Sequence, residues 1–304
     1  MAAPADLRPL PDVPASLLGE SPLWHAGEGA LYWCDIPGHR LERWHAASGE
    51  HRGWDFDTDV ACAAPLLGGG LLLALRDGLW TFDPSSGRRQ RLCDAPYDPQ
   101  QERFNDGKAD PWGRFWVSTL YEPRDRPAAG LYRFDASGLQ RIAGDATVGN
   151  GLAWSPDGGT MYWADTQAHR IDCLDYHGET GQASGRHPLA QFPPKEPSQP
   201  LDGYGGRPDG AAVDSEGAYW VAMFEGARLL RLSPGGRVLQ AVELPVRCPT
   251  MPCFGGPDLR TLFVTTARDK RPPEELARQP WAGCVLSMRV EVPGLPTHFA
   301  QLSS

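Results

Sequence analysis

Residues 159–178, GTMYWADTQAHRIDCLDYHG, show the strand pattern from which the fold of this chain can be predicted. The stretch opens with a short apolar strand, crosses a polar break and continues as a second alternating strand that ends at a turn. GALYWCDIPGHRLERWH at 29–45 and GAYWVAMFEGARLLRLSPGG at 217–236 have the same form. The chain is therefore built from a repeated unit of short paired strands.

Six such units can be aligned on one bulky apolar position, occupied by Trp33, Leu73, Trp116, Trp163, Trp220 and Phe263. The successive spacings are 40, 43, 47, 57 and 43 residues, and a four-stranded propeller blade takes roughly 40–50 residues. The longest spacing contains an insertion rich in proline and glycine at 188–207. A β-sandwich is the competing architecture, but it does not predict six near-equal units.

We therefore predict an all-β fold, a six-bladed β-propeller of four-stranded antiparallel blades. A single propeller domain would span 1–304, with residues 6–18 supplying the outer strand of the last blade. Only residues 273–279, PEELARQ, have the composition of a helix, and that segment is long enough for about one turn.

Composition narrows the class of partner. The formal charge of −9 disfavours binding to nucleic acid or to an anionic membrane surface. No stretch approaches the ~20 apolar residues of a membrane span. The seven cysteines include no CxxC pair, which is typical of reduced thiols in a cytosol. We expect a cytoplasmic protein, a monomer or weak oligomer, with a small molecule as its partner.

Three oxygen-bearing residues stand directly before apolar strands that we interpret as the innermost strands of their blades. Glu20 precedes SPLW, Asn150 precedes GLAW and Asp209 precedes GAAV. Innermost strands line the channel of a propeller, so these side chains would meet on its axis. Two carboxylates there repel each other unless a cation lies between them. All-oxygen ligation suits a hard divalent ion. The alternative is that all three are ordinary turn residues.

The segment RFNDGKAD at 103–110 precedes the strand FWVSTL. Asn105 stands where the innermost strand of the third unit begins, and Arg103 can reach inward from the same loop. An arginine there offers N–H donors to an oxygen-rich ligand. The alternative for Arg103 is a surface salt bridge with a neighbouring acid. We expect Asp106 and Asp110 to cap turns.

Three further residues and one segment are weaker candidates. Tyr121 and Glu122 follow the third strand set, where they either rim the pocket or belong to an ordinary loop. The insertion at 188–207 lies just before Asp209 and is a candidate cover for the channel mouth. His169 is expected to be exposed to solvent at a strand turn.

Four segments together resemble the regucalcin/gluconolactonase family, also called senescence marker protein-like: LLGESPLW, RFNDGKADPWGRFWVSTL, VGNGLAWSPDGGTMYWADT and RPDGAAVDSEGAYWVA. The resemblance covers about residues 15–290 in the same order. It implies a six-bladed propeller with one divalent metal ion on its axis, Ca²⁺, Mn²⁺, Mg²⁺, Zn²⁺ or Fe²⁺. The metal ligands of the family fall on Glu20, Asn150 and Asp209, and Asp209 also falls on its catalytic base.

The substrate-binding positions of the family fall on Arg103 and Asn105, and Glu122 lies close to a third. The activity implied is hydrolysis of a sugar lactone to the aldonic acid, with a gluconolactone, xylonolactone, arabinolactone or galactonolactone as substrate. Because two carboxylates cancel a divalent charge, the site suits a neutral substrate. The alternatives are a non-catalytic calcium-binding regulatory propeller and an esterase or organophosphate hydrolase on the same scaffold.

Overall fold

The structure, a computed structural model, describes residues 4–302 and confirms the predicted propeller. Within that range, twenty-four strands form six antiparallel sheets of four strands each, arranged as blades around a central channel. In chain order the strands are β1 (Arg8–Pro9), β2 (Gly19–His25), β3 (Ala30–Asp35), β4 (Arg40–His45), β5 (His51–Asp55), β6 (Val60–Pro65), β7 (Leu71–Leu75), β8 (Gly78–Phe82), β9 (Arg89–Asp94), β10 (Glu102–Ala109), β11 (Phe115–Tyr121), β12 (Ala129–Asp135), β13 (Gly138–Ala146), β14 (Gly149–Trp154), β15 (Thr160–Asp165), β16 (Arg170–His177), β17 (Gln182–Gln191), β18 (Arg207–Val213), β19 (Tyr219–Phe224), β20 (Arg228–Leu232), β21 (Val238–Glu243), β22 (Pro249–Gly255), β23 (Thr261–Thr266) and β24 (Leu286–Arg289).

The sixth blade is completed from the other end of the sequence. Blades one to five are β2–β5, β6–β9, β10–β13, β14–β17 and β18–β21, and in each of them consecutive strands pair. The sixth blade consists of β22, β23, β24 and then β1. Arg8 lies opposite Ser287, and Pro9 lies opposite Leu286. Hydrogen bonds between segments almost 280 residues apart therefore close the ring.

Six hydrophobic clusters fill the spaces between blades, and each cluster is shared by two neighbouring blades. In the cluster that joins blades one and six, the Trp24 and Phe263 rings stack with their centroids 5.9 Å apart. The six positions aligned by sequence all lie in the second strands and are 0–3% exposed. Burial of a large apolar side chain contributes about 1.5–3 kcal/mol, so these contacts hold the ring together.

The first strand of every blade contains a pairing irregularity near its start. The register shifts lie between Glu20 and Leu23, Val60 and Cys62, Phe104 and Gly107, Asn150 and Ala153, Pro208 and Ala211, and Pro249 and Met251. A β-bulge bends its strand and redirects the side chains at that point. The repeat therefore provides one redirected position per blade, next to the channel.

Asp110 closes the turn between the first two strands of blade three, as its sequence position predicts. Its Oδ1 accepts hydrogen bonds from the backbone N–H groups of Trp112 at 2.8 Å and Arg114 at 2.9 Å. Its Oδ2 accepts from the indole of Trp116 at 3.0 Å and from the hydroxyl of Tyr176. Asp214 makes the equivalent bonds to Glu216, Ala218 and Trp220. The aspartate thus fixes the turn and the buried tryptophan together.

The predicted helical segment forms one short helix, α1 (Pro273–Arg278). No helix among residues 4–302 has the length and apolar character needed to cross a membrane. All seven cysteines are free thiols, as expected from their spacing.

We expect Asp110→Ala to destabilise the protein by about 3–5 kcal/mol. The substitution leaves the buried indole N–H of Trp116 and the hydroxyl of Tyr176 without their acceptor, and unsatisfied buried donors cost about 1–3 kcal/mol each. Urea denaturation measures the change. Asp157→Ala is the matched control, because Asp157 occupies the corresponding turn of blade four but is exposed. Equal losses in the two variants would contradict this role for Asp110.

Candidate functional site

The bulged strands β2, β10, β14 and β18 bring the sequence-predicted site residues to one end of the channel. Glu20, Arg103, Asn105, Asn150 and Asp209 all line one inner cavity of about 100 Å³. Glu20 is half-buried, and the other four side chains are at most 8% exposed. Residues up to 189 positions apart therefore share one site, as the propeller geometry predicts.

A chain of hydrogen bonds orients the polar side chains of the inner cavity. Arg103 Nη1 donates to Asn105 Oδ1 at 2.8 Å. Asn105 Nδ2 donates to Asn150 Oδ1 at 2.9 Å, and Asn150 Nδ2 donates to Thr166 Oγ1 at 2.8 Å. The alternative of a surface salt bridge for Arg103 is wrong, because this side chain is buried and bound to the asparagine.

The two carboxylates of the inner cavity are unneutralised. Burial raises the pKa of Glu20, and the nearby charges of Asp209 and Asp106 raise it further. Burial also raises the pKa of Asp209, against the opposing effect of the cation Arg207. Within residues 4–302, neither Glu20 nor Asp209 forms a salt bridge or accepts a side-chain hydrogen bond. Like charges that are buried together disfavour ionisation of both, so the protein alone does not stabilise this arrangement.

Asp106 is a third buried carboxylate beside the channel, and sequence analysis placed it wrongly in a turn. It is 4% exposed. Its Oδ2 accepts from the backbone N–H of Leu152 at 2.8 Å, while its Oδ1 has no partner among the described residues. The bulge between Phe104 and Gly107 explains the difference, because an extra residue in the strand turns Asp106 inward. That irregularity leaves no signal in the local sequence.

These donors fit a hard divalent cation. In the described part of the chain, no three His, Cys, Asp or Glu side chains converge as a metal-binding group. Because Asn150 lines the same cavity as Glu20 and Asp209, its amide oxygen is available as a third protein ligand for a cation between the two carboxylates. Carboxylate and amide oxygens are ligands of Ca²⁺, Mg²⁺ and Mn²⁺. A cation would also offset the repulsion that raises the pKa of Glu20 and Asp209.

Asp35 braces the loop that leads to Glu20. It ends β3, is 6% exposed, and accepts the backbone N–H groups of Leu17 at 2.9 Å and Leu18 at 3.0 Å. Glu20 lies two residues after Leu18, the second of the two residues that Asp35 holds. Ser21 follows with a φ of 48°, a left-handed conformation that is uncommon outside glycine. A buried carboxylate thus holds a strained segment in place.

Asp165 braces the loop that leads to Asn150 in the same way. It ends β15 and is 4% exposed. Its carboxylate accepts the backbone N–H groups of Thr147 at 3.0 Å and Val148 at 3.2 Å. The matching segments YWCDI and YWADT carry the two braces. Two of the three candidate metal ligands therefore depend on the same device, repeated three blades apart.

A wider outer cavity of about 710 Å³ adjoins the inner one. Glu122 lies in its wall, where it accepts from Arg76 Nη2 at 2.7 Å and Nη1 at 3.1 Å. Tyr121 is 5% exposed and lines neither cavity. Arg124 and Arg207 line both cavities. The sequence did not identify them, because the site was sought among oxygen-bearing residues directly before innermost strands, and an arginine side chain carries no oxygen.

The insertion at 188–207 is anchored beside this cavity. The Tyr204 hydroxyl and His169 Nε2 lie 2.7 Å apart. His169 is only 9% exposed, so the expectation that it faces solvent is wrong. The insertion covers it, and the last residue of the insertion, Arg207, lines the cavity wall.

We expect Asp165→Ala to speed amide hydrogen exchange at Thr147 and Val148 by roughly tenfold to a hundredfold. Loss of the carboxylate frees both N–H groups and loosens the segment before Asn150. Exchange measured by NMR or mass spectrometry tests this. Asp175→Ala, an exposed aspartate in the same blade, serves as the control. Unchanged exchange at both amides would show that Asp165 does not hold the loop.

Comparisons with known proteins identify the family to which the chain belongs. Residues 18–268 match the family model described as the SMP-30/gluconolactonase/LRE-like region. A 6-deoxy-6-sulfogluconolactonase from Pseudomonas putida is 45% identical over 92% of this chain and 93% of its own length. Regucalcin from Oryctolagus cuniculus is 33% identical over 92% of this chain and 93% of its own.

The three-dimensional structure is also similar to that of a known family member. The crystal structure of a calcium-binding protein, regucalcin, from Agrobacterium tumefaciens superposes with a TM-score of 0.88 at 26% identity. The match covers 99% of this chain and 97% of the other. The motif resemblance, the fold and the sequence match are thus in agreement, and the chain belongs to the SMP-30/gluconolactonase/LRE-like family.

Proposed function

We propose that this chain is a metal-dependent sugar lactonase that hydrolyses an aldonolactone to the aldonic acid. The observation that carries the proposal is the convergence of Glu20, Asn150 and Asp209 with Arg103 and Asn105 in one cavity. Family membership and a 45% identical relative named as a sugar lactonase support it. The substrates to consider are the lactones of gluconic, xylonic, arabinonic and galactonic acids, together with the sulfonated gluconolactone in the name of that relative.

Glu20, Asn150 and Asp209 are the residues that would hold one divalent cation. Ca²⁺, Mn²⁺, Mg²⁺, Zn²⁺ and Fe²⁺ are the candidates, and the structural relative described as a calcium-binding protein makes Ca²⁺ the first to test. When bound, such an ion supplies polarisation of the lactone carbonyl and a more acidic water.

Asp209 is proposed as the general base. As the water oxygen bonds to the carbonyl carbon, a carboxylate oxygen of Asp209 accepts the proton of the water. The bond between that carbon and the ring oxygen then breaks, and Asp209 returns the proton to the ring oxygen. The product is a carboxylic acid with a free hydroxyl group. General acid–base catalysis of this kind contributes about 10²- to 10⁴-fold to the rate.

Arg103 and Asn105 are proposed to hold the lactone and to stabilise charge on its carbonyl oxygen. The bonds of Arg103 to described residues all leave from Nη1, and its guanidinium lines both cavities. Fixed donors near a developing oxyanion lower the barrier because they need no reorientation. Glu122 lies further out, held by Arg76, where its carboxylate can accept a sugar hydroxyl.

The two alternative functions account for the cavity less well. A regulatory calcium-binding propeller needs the three oxygen ligands but gives no role to Arg103 and Asn105. An esterase or organophosphate hydrolase would favour an apolar wall, whereas the outer cavity is lined by ten ionisable side chains. A panel of aldonolactones, simple esters and a phosphotriester, assayed with and without divalent ions, separates the three.

Removal of metal should abolish lactone hydrolysis, and one of the five candidate ions should restore it. The same ion should stabilise the stripped wild-type protein against unfolding, by about 2.7 kcal/mol at a hundred times its Kd. Glu20→Gln should lose that stabilisation, yet be more stable than the stripped wild type because one repelling buried charge is gone. Full activity of protein shown by elemental analysis to be metal-free would rule out metal dependence.

Asp209→Ala should lower kcat/KM for the best lactone by more than about 10³-fold, because the base and a metal ligand are both lost. The thermal unfolding midpoint of the metal-free variant should not be lower than that of the metal-free wild type, because the carboxylate of Asp209 forms no salt bridge within residues 4–302. Asp202→Ala is the control, because this exposed aspartate lies outside both cavities. Wild-type turnover by Asp209→Ala would remove the residue from the chemistry.

A further inference from the structure

The mouth of the channel is positively charged in a negatively charged protein. The wall of the outer cavity carries six basic side chains and four acidic ones, whereas the whole chain has a formal charge of −9. The acidic four are Asp59, Glu122, Glu225 and Asp269, and the basic six are Arg76, Arg103, Arg124, Arg207, Lys270 and Arg271. A cleft lined by an excess of one sign concentrates ligands of the other sign.

Two of these cations are committed to the protein. Arg76 binds Asp59 at 2.8 Å and Glu122 at 2.7 Å. Arg271 binds Glu225 at 2.8 Å and makes a two-pronged ion pair with Glu275, both bonds 2.8 Å long. Asp269 lies 3.7 Å from Lys270, and the pairs of Arg76 and Arg271 engage the other three acidic groups of the wall. They leave Arg124 and Arg207 as the cations with capacity for a ligand, beside the already assigned Arg103 and the outlying Lys270, whose side chain is 90% exposed.

Arg124 has no protein acceptor in the described part of the chain. Its side chain makes neither a hydrogen bond nor a salt bridge there, although it lines both the inner and the outer cavity. Its backbone has a φ of 55°, in the left-handed region that costs energy for a residue with a Cβ. The residue is exposed at the cavity wall. Partial burial of its guanidinium lowers its pKa, and the like charge of Arg207 lowers it further. An anion that enters the outer cavity can therefore reach Arg124 and would offset the repulsion between the two arginines.

Arg207 lines the same two cavities from blade five. It is the first residue of β18 and precedes Asp209 by two positions, and both side chains line the inner cavity. Its guanidinium lies 5.2 Å from the centre of the Phe224 ring and 3.3 Å from Glu225 Oε2. Glu225 also pairs with Arg271 at 2.8 Å. The charge of Arg207 is therefore only partly compensated.

We propose that Arg124 and Arg207 together bind an anionic oxygen group, a sulfonate or a phosphate, carried by the sugar lactone at the end remote from its carbonyl. This inference rests on the proposed function, which places the lactone carbonyl at the inner cavity beside Glu20 and Asp209. A sugar oriented in that way directs its far end towards the outer cavity. Guanidinium groups match tetrahedral oxyanions with paired N–H donors. The expectation of a neutral substrate considered only the metal ligands and omitted these two arginines.

The test compares lactones that differ only at carbon 6: glucono-1,5-lactone, its 6-deoxy-6-sulfo derivative and its 6-phosphate. The readout is the ratio of kcat/KM for each anionic lactone to that for the neutral one. In the wild type we expect a ratio above ten for at least one anion, and the larger ratio identifies which anion the site takes. In Arg124→Gln that ratio should fall roughly tenfold to a hundredfold, as expected for the loss of charge-assisted hydrogen bonds. Arg124→Lys should recover part of it.

Arg126→Gln is the matched control. Arg126 belongs to the same loop, lies over the Tyr121 ring at 5.1 Å and lines neither cavity. It should keep the wild-type ratio. A wild-type ratio near one, an unchanged ratio in Arg124→Gln, or an equal fall in Arg126→Gln would each overturn the proposal.

A binding measurement separates failure of this site from failure of the lactonase proposal. Calorimetry with 6-deoxy-6-sulfoglucose, 6-phosphoglucose and glucose uses sugars that contain no lactone to hydrolyse. If no lactone is hydrolysed but an anionic sugar binds more tightly than glucose in an Arg124-dependent way, the proposed reaction is wrong and the anion site stands. If gluconolactone is hydrolysed but neither anionic sugar binds better than glucose, the anion site is wrong and the reaction stands.

Discussion

The repulsion between Glu20 and Asp209 at the end of the channel is the constraint on which the rest of the site depends. Asp209 is buried and Glu20 is half-buried, the pKa values of both are raised by burial and by nearby like charge, and neither forms a salt bridge among residues 4–302. Side chains under such repulsion move apart unless the backbone prevents it. The bulges in β2 and β18 and the Asp35 clamp hold that backbone, so the scaffold maintains an arrangement that a cation would stabilise.

The closed ring of blades makes the scaffold stiff enough to hold the candidate metal ligands at fixed separations. The candidate ligands come from blades one, four and five, so their separations are set by every inter-blade contact between them. Six clusters of buried side chains fix those contacts, and pairing of β1 with β24 closes the circle. Because interiors are close-packed and resist deformation, a small displacement of one blade is opposed by all the others. A propeller is therefore suited to holding ligands that repel each other.

The sequence predicts the fold and the inner cavity well, because both follow the repeat. Trp163 and its equivalents mark the second strands, and the same periodicity identifies Glu20, Asn150 and Asp209 as residues at the start of first strands. Asp106 was misplaced because a bulge, which depends on pairing with β11 rather than on local composition, turns it inward. His169 was misplaced because its cover, Tyr204, comes from an insertion outside the repeat. Arg124 was missed because it lies in the loop between the second and third strands of its blade and not directly before a first strand.

The parts of the chain that follow the repeat and the parts that lie outside it contribute different binding regions to the same site. The repeat builds the inner cavity, where carboxylates create a region that attracts a cation. Arg124, in a loop of blade three, and Arg207, at the junction of the insertion with β18, lie at the mouth and create a region that attracts an anion. A substrate with an electron-rich carbonyl at one end and an anionic group at the other would be oriented by both regions before any covalent change, which is the condition for efficient catalysis by positioning. Changes in the unrepeated loops could then alter the choice of sugar while leaving the hydrolytic chemistry of the inner cavity intact.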